Sequence, residues 1–256
     1  MNSSRISFLS PTDVNCGSFK RIVWAIVTGI LILSGQYAQA QQKLMPKNLE
    51  KFDLQWIHFG FGVGINMADF IIKPVENFNQ LDSLYVVESS SAPGFHLGIV
   101  SNLRLGEHFD LRFTPDLAFS QRNLTYTFVK NGVVQESVVK TVESTYLDFP
   151  LYFKFKSSRI KNYRVFVLAG VKYSLDMASQ EKVKDTETKQ IVKVYKNNYC
   201  YEFGIGLDCY MEFFKFSPEI KLSQSINNLL VPDVSIYSKS INSLFSQILY
   251  VTFTFE

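Results

Sequence analysis

The sequence predicts an all-β fold, an eight-stranded antiparallel barrel that crosses a membrane, and three observations carry the prediction. Apolar residues recur at every second position through most of the chain. One face of these runs is aromatic or branched aliphatic, while the other mixes both signs of charge with glycine. The segments between runs alternate between short and long, which is the asymmetry of a transmembrane β-barrel of the outer-membrane type.

Composition agrees. Aromatic residues make up 15% of the chain, with 23 Phe and 13 Tyr, against only 19% charged residues, a balance suited to strands and to a surface that meets something apolar. The formal charge is +3, but Arg5, Lys20, Arg21 and Asp13 fall in a leader, and the remainder is close to neutral. Nucleic acid is thereby excluded as a partner, because binding it needs a basic patch that displaces counterions.

Residues 1–40 read as a signal peptide with an extended n-region. Lys20 and Arg21 precede an apolar run from Ile22 to Leu33, and Ala38-Gln39-Ala40 supplies the small-x-small site, with cleavage expected before Gln41. The run is shorter than the roughly 20 residues a spanning helix needs. An exported chain with no other segment apolar enough for such a helix enters a membrane only as a closed barrel. Residues 41–55 are polar, contain Pro46 and lack a period, so they are expected to form a flexible periplasmic arm before the barrel at 56–256.

The strands follow in order. The first sets Ile57, Phe59, Phe61, Val63 and Ile65 against His58, Gly60, Gly62, Gly64 and Asn66; the second sets Phe95, Leu97, Ile99, Leu103 and Leu105 against His96, Gly98, Asn102 and Arg104. In the third, Phe109, Leu111, Phe113, Leu117 and Phe119 oppose Asp110, Arg112, Asp116 and Ser120. A phase shift near Gln121 and Arg122 into Leu124, Tyr126 and Phe128 predicts a β-bulge where this strand leaves the bilayer. Asn131-Gly132 then predicts a type I′ hairpin. The fourth strand returns with Leu147, Phe149, Leu151, Phe153 and Phe155 against Asp148, Tyr152, Lys154 and Lys156. The fifth runs through Tyr163, Val165, Val167, Val171 and Tyr173, the sixth through Tyr199, Tyr201, Phe203, Ile205 and Leu207, the seventh through Phe214, Phe216, Ile220 and Leu222, and the eighth through Leu249, Val251, Phe253 and Phe255.

Short connections are expected at Gly106 to His108, Ser157 to Asn162 and Met211 to Phe213, and long ones at Lys73 to Pro93, Met177 to Val194 and Gln224 to Phe245. A lipocalin-like barrel shares the strand count but puts apolar residues inside. The glycines share a face with Arg112, Asp148, Lys154 and Glu202, as a narrow, side-chain-filled lumen requires, so the aromatic face is assigned to lipid. On this assignment Phe153→Arg is costly and Lys154→Gln mild.

No catalytic, cofactor-binding or metal-binding residue is expected. His58, His96 and His108 have no spacing that presents two ligands together, and no nucleophile elbow, phosphate loop or zinc motif occurs. The Gly60, Gly62, Gly64 series lies inside a strand and opens no helix, unlike a nucleotide fingerprint. Cys200 and Cys209 share one strand at ~30 Å, beyond the ~7 Å a disulfide spans, and are expected to be free thiols.

From about His58 to the C-terminus the chain resembles the PorT/SprT family of the type IX secretion system. The resemblance is carried by His58-Phe59-Gly60 with Gly64-Ile65-Asn66, Pro93-Gly94-Phe95 with Leu97-Gly98-Ile99, and Leu111-Arg112-Phe113 before Pro115. It continues in Tyr146-Leu147-Asp148-Phe149-Pro150-Leu151, Gly170, Gly204-Ile205-Gly206 and Phe216-Ser217-Pro218-Glu219; Ser101 to Leu105 and Lys154 to Ser157 point to the secretion branch. One departure is Glu256 after Phe255, where outer-membrane strands usually end on an aromatic. The resemblance implies a non-enzymatic outer-membrane component of protein secretion and gliding motility in a Gram-negative bacterium. Its implied partners are outer-membrane lipid and other secretion components, with no small-molecule substrate. The competing expectation is a small barrel outside the secretion system, either surface-binding or lipid-modifying.

Overall fold

The computed structural model describes residues 47–75, 84–130, 133–179, 192–232, 238 and 240–256. The expected leader, its cleavage site, the first residues of the arm and the Asn131-Gly132 turn lie outside the described residues.

Nine strands form, every pair antiparallel: β1 (Ile57–Pro74), β2 (Leu84–Arg104), β3 (Phe109–Phe113), β4 (Asp116–Lys130), β5 (Val133–Lys156), β6 (Tyr163–Asp176), β7 (Asn197–Tyr210), β8 (Lys215–Ser225) and β9 (Ile241–Phe255). β3 and β4 both lie between β2 and β5, so they are one barrel strand interrupted at Thr114-Pro115, and the ring has eight members. Pro115 has no N–H to give the ladder, yet its carbonyl still accepts from the Ile99 N–H at 3.0 Å. β1 pairs with both β2 and β9, which closes the ring and leaves no sheet edge along the paired stretch.

The faces are those the alternation assigned. Phe153 is 61% exposed on the outside while Lys154, the next residue, is 0% exposed inside. From Tyr163 to Tyr173 the outward run of β6 measures about 33 Å along the strand and, at a tilt of roughly 40°, about 25 Å along the axis, the height of a lipid-facing band. Lumen glycines make room for rings on neighbouring strands. Gly206 pairs with Phe166, and a Cβ there would stand 2.3 Å from that ring; Gly64 pairs with His96, where a Cβ would stand 2.5 Å away.

Above this band the sequence reading needs correcting twice. First, residues 84–93, expected in a loop, belong to β2, which pairs with β4 from Leu84↔Phe128 to Ser91↔Arg122 and with β1 at Ala92↔Ala68 and Pro93↔Met67, and residues 241–245, also expected in a loop, open β9. Second, β4 carries no bulge at Gln121 and Arg122, where its pairing with β5 runs unbroken through Gln121↔Glu143 and Arg122↔Val142. The irregularity sits across the ladder in β2, between Ser91 opposite Arg122 and Phe95 opposite Phe119. The sequence phase shift has a different cause. Leu124 and Tyr126 point inward, both 0% exposed, while Gln121, Thr141 and Glu143 point outward into solvent. Along β4 the polarity of the two faces inverts at Arg122: below it Leu117 and Phe119 face outward and Ser120 inward, above it Asn123 and Thr125 face outward and Leu124 and Tyr126 inward. A barrel that rises out of lipid into water needs that inversion, because each face must match its medium.

Candidate functional site

The described histidines do not converge. His58 lies in the lumen near the start of β1, His96 bonds the Thr252 hydroxyl at 2.9 Å higher up, and His108 in the β2–β3 turn bonds the Lys156 carbonyl at 3.0 Å. Among the described residues no group of three His, Cys, Asp or Glu could hold a metal ion. Cys200 and Cys209 are free thiols. What the fold assembles instead is a filled lumen closed at both ends, with two differently built closures.

The lumen is packed with ion pairs in layers. Lys156 meets Asp110 at 2.6 Å, and Asp110 also accepts from the Asn102 amide at 2.9 Å. Above them Lys154 donates to both oxygens of Asp208 at 2.9 Å, and Arg112 reaches Glu219 at 2.9 Å. Higher still, Lys172 bridges Glu202 at 2.7 Å and Asp148 at 3.2 Å, and the Tyr152 hydroxyl also bonds Glu202. Each charge is out of water, and its cost of desolvation is offset by a partner of opposite sign together with neutral donors such as Asn102 and Tyr152. Glu256, the departure from the terminal-aromatic pattern, joins this network: its carboxylate meets Lys215 at 2.6 Å and Arg112 at 3.4 Å, while Phe255 keeps its place on the outer face beside Phe61.

At the long-loop end the closure is apolar. Phe70, Leu124, Tyr126 and Val142 from the strands pack with Val192, Val194 and Leu230 from the connections after β6 and β8, which meet at a Val194↔Leu230 bridge. Arg122 floors this cluster, its guanidinium 4.8 Å from the centre of the Phe70 ring and bonded to the Tyr146 and Ser246 hydroxyls at 3.2 and 2.8 Å.

At the short-turn end the closure is polar, and residues 47–55 of the expected arm supply it. A 3₁₀ turn at Phe52–Leu54 lays Phe52 against His58, 3.9 Å between ring centres, with the Lys215 ammonium 4.7 Å from its ring. The space left among Phe52, His58, Asp110 and Tyr210 is ≈ 10 Å³, no more than one water requires. Asp53 is the hub. Its carboxylate accepts from Arg159 and Arg164, each at 3.2 Å, and from the Tyr210 hydroxyl at 2.9 Å, while its backbone carbonyl accepts from Arg104. Burial pushes this carboxyl up, but Arg164, Tyr210 and Arg159 together outweigh it and hold its pKa below the ordinary carboxylate value. Sequence spacing gave no sign of this hub, because its members come from four separate segments.

The model of a family described as outer membrane protein beta-barrel domain matches residues 37–231. No curated protein matches the sequence. Among solved structures, Neisserial surface protein A is 10% identical, with 78% of this chain and 98% of that one covered and a TM-score of 0.40. OprG from Pseudomonas aeruginosa is 11% identical, covering 77% and 94% with a TM-score of 0.38. Ail, the attachment invasion locus protein of Yersinia pestis, solved with the heparin analogue sucrose octasulfate, is 9% identical, covering 78% and 98% with a TM-score of 0.36.

Proposed function

This chain belongs to the outer-membrane β-barrel family, and from that premise we propose that it is a non-enzymatic component of the type IX secretion and gliding-motility machinery, working through partner contacts in a Gram-negative outer membrane. The single observation that carries the contact reading is the filled lumen. Ion pairs occupy it from Asp110 to Lys172, an apolar cluster closes one mouth and residues 47–55 close the other. Eight strands leave an interior only wide enough for side chains, so neither cargo nor solute passes through, and the two ends remain to do the work. The secretion assignment itself is supported by the sequence resemblance to the PorT/SprT family.

The test is export of secreted cargo in a strain lacking the chain. Cargo retained inside the cells is the expected result, with export restored by a chain carrying His58→Ala, His96→Ala or His108→Ala that still folds. Normal export in the deletion strain overturns the reading. A second reading, a surface-binding barrel, is favoured by the tall β2–β4–β5 sheet at the long-loop end, whose outward Gln121, Thr141 and Glu143 face solvent. It predicts normal export and a loss of surface binding instead.

A further inference from the structure

The closure at the short-turn end consists of a receptor and a ligand that belong to different parts of the chain. The receptor is built by the barrel: Arg159 in the β5–β6 turn, Arg164 at the start of β6, and Tyr210 at the end of β7. The side chains of Arg159 and Arg164 are 5% and 10% exposed, and the Arg159 guanidinium lies 3.7 Å from the Tyr210 ring centre, which fixes its plane. The ligand is a carboxylate on a segment that precedes the barrel and takes no part in its ladder.

Among the described residues, that segment is held to the barrel through three residues, Asn48, Phe52 and Asp53. Its turn fully buries none of its own residues: Leu54, which ends it, is 70% exposed, and Trp56 just beyond is 76% exposed. Phe52 packs on His58, with the Lys215 ammonium over its ring, and Arg104 bonds the Asp53 carbonyl; the remaining ties are polar: the Asn48 N–H to Asn162 at 3.0 Å, the Asn48 side-chain amide to the Tyr210 carbonyl at 3.0 Å, and the Arg159 guanidinium to the Asn48 carbonyl. An open groove of about 440 Å³ runs alongside, lined by Glu50, Asp53, Glu107, His108, Arg159 and Arg164 among others. If residues 47–53 leave, Glu50 and Asp53 go with them, and both guanidiniums face a groove whose remaining acid is Glu107. A pair of preset guanidiniums with a hydroxyl donor is a carboxylate site.

We propose that Arg159, Arg164 and Tyr210 form a carboxylate receptor on the periplasmic face, that Asp53 occupies it in cis, and that an acidic extended segment of a periplasmic partner displaces Asp53 and binds there. The proposal deepens the contact reading, on which it rests for the partner's existence, and names the partner's chemistry. The cis ligand makes the face selective: a partner must out-compete a tethered carboxylate, so weakly acidic surfaces do not engage.

The experiment measures fluorescence anisotropy of a labelled hexaglutamate peptide against the folded full-length mature chain in detergent, with folding checked by heat-modifiable gel migration. Asp53→Asn is expected to bind the peptide at least tenfold more tightly than the native chain, and adding Arg159→Gln to Asp53→Asn is expected to remove that gain. Should Asp53→Asn not fold, Phe52→Ala, which loosens the turn and leaves the arginines in place, carries the same comparison. No gain in the loosened variant, or a gain that survives Arg159→Gln, overturns the proposal. Cargo export in the deletion strain reads the secretion assignment separately, so either result can fail without the other.

Discussion

Lys154 of β5 and Asp208 of β7 face each other inside the barrel with both carboxylate oxygens 2.9 Å from one ammonium, and neither side chain is more than 1% exposed. The Ser217 hydroxyl adds a third hydrogen bond to Asp208 at 2.7 Å, and the Phe166 ring centre lies 3.7 Å from the ammonium. Such a pair contributes little net stability as a pair, but it is intolerant of losing one member.

Lys154→Gln is therefore expected to destabilise by ~3–5 kcal/mol, because it leaves the Asp208 charge buried and unpaired. The alternation of β5 alone made this change look mild, and the structure revises that. The double variant Lys154→Met with Asp208→Leu removes both charges and is expected to recover most of the loss. Urea unfolding in lipid vesicles measures both; equal stability of Lys154→Gln and the native chain would contradict the pairing.

Phe153→Arg tests the opposite face of the same strand. Placed near the middle of the apolar band, an arginine there costs ~2–4 kcal/mol, against a solvent-facing site above the band such as Thr141→Arg, which is expected to change little. The same vesicle assay decides. A costly Thr141→Arg with a neutral Phe153→Arg would mean that the band had been placed at the wrong height.

These two residues also show what alternation can and cannot tell. Between Leu147 and Phe155 the outward residues are all apolar and lipid demands it, so sequence alone assigns the face. At Glu88-Ser89-Ser90-Ser91 the outside meets water and the contrast fades, so a strand read as a loop. At Leu124 and Tyr126 the inversion of polarity resembled a bulge, because period alone carries no information on medium. The Asp53 hub had no signature at all: Asp53 and Arg164 stand 111 residues apart and meet only once the ring closes.

The apolar closure yields a third prediction. Leu124→Ala removes a fully buried side chain from the cluster with Phe70, Val192, Val194 and Leu230 and is expected to cost ~2–5 kcal/mol locally. Hydrogen exchange should show faster exchange at residues 192–194 and 229–230, with the ladder of β6 and β7 unchanged. Uniform loss of protection through those strands would instead mean that the closure and the barrel are one cooperative element.

The polar closure responds to pH with a defined sign. A carboxylate whose folded pKa is depressed adds stability that is complete above its unfolded pKa and lost as pH falls through the folded one. For Asp53 the cap is thus held from neutral pH down to the ordinary value of 3.8 and released only below it. In a chain beginning at Gln41, Trp56 is the only tryptophan, and its emission reports on the adjoining turn. The expected trace is flat to the carboxylate range with a change beneath it that Asp53→Asn abolishes. A transition nearer neutrality, or one that Asp53→Asn leaves in place, would contradict this.

The central claim is that a sealed barrel serves export through contacts at its ends and not through its lumen. Cargo export in the deletion strain, complemented with two folded variants, tests it most directly. One variant replaces the lumen pair, Lys154→Met with Asp208→Leu; the other recharges the short-turn end, Arg159→Glu with Arg164→Glu. The account predicts normal export with the first and cargo retained in the cell with the second, both proteins being present in the membrane. Export lost with the lumen variant and intact with the recharged face would contradict it.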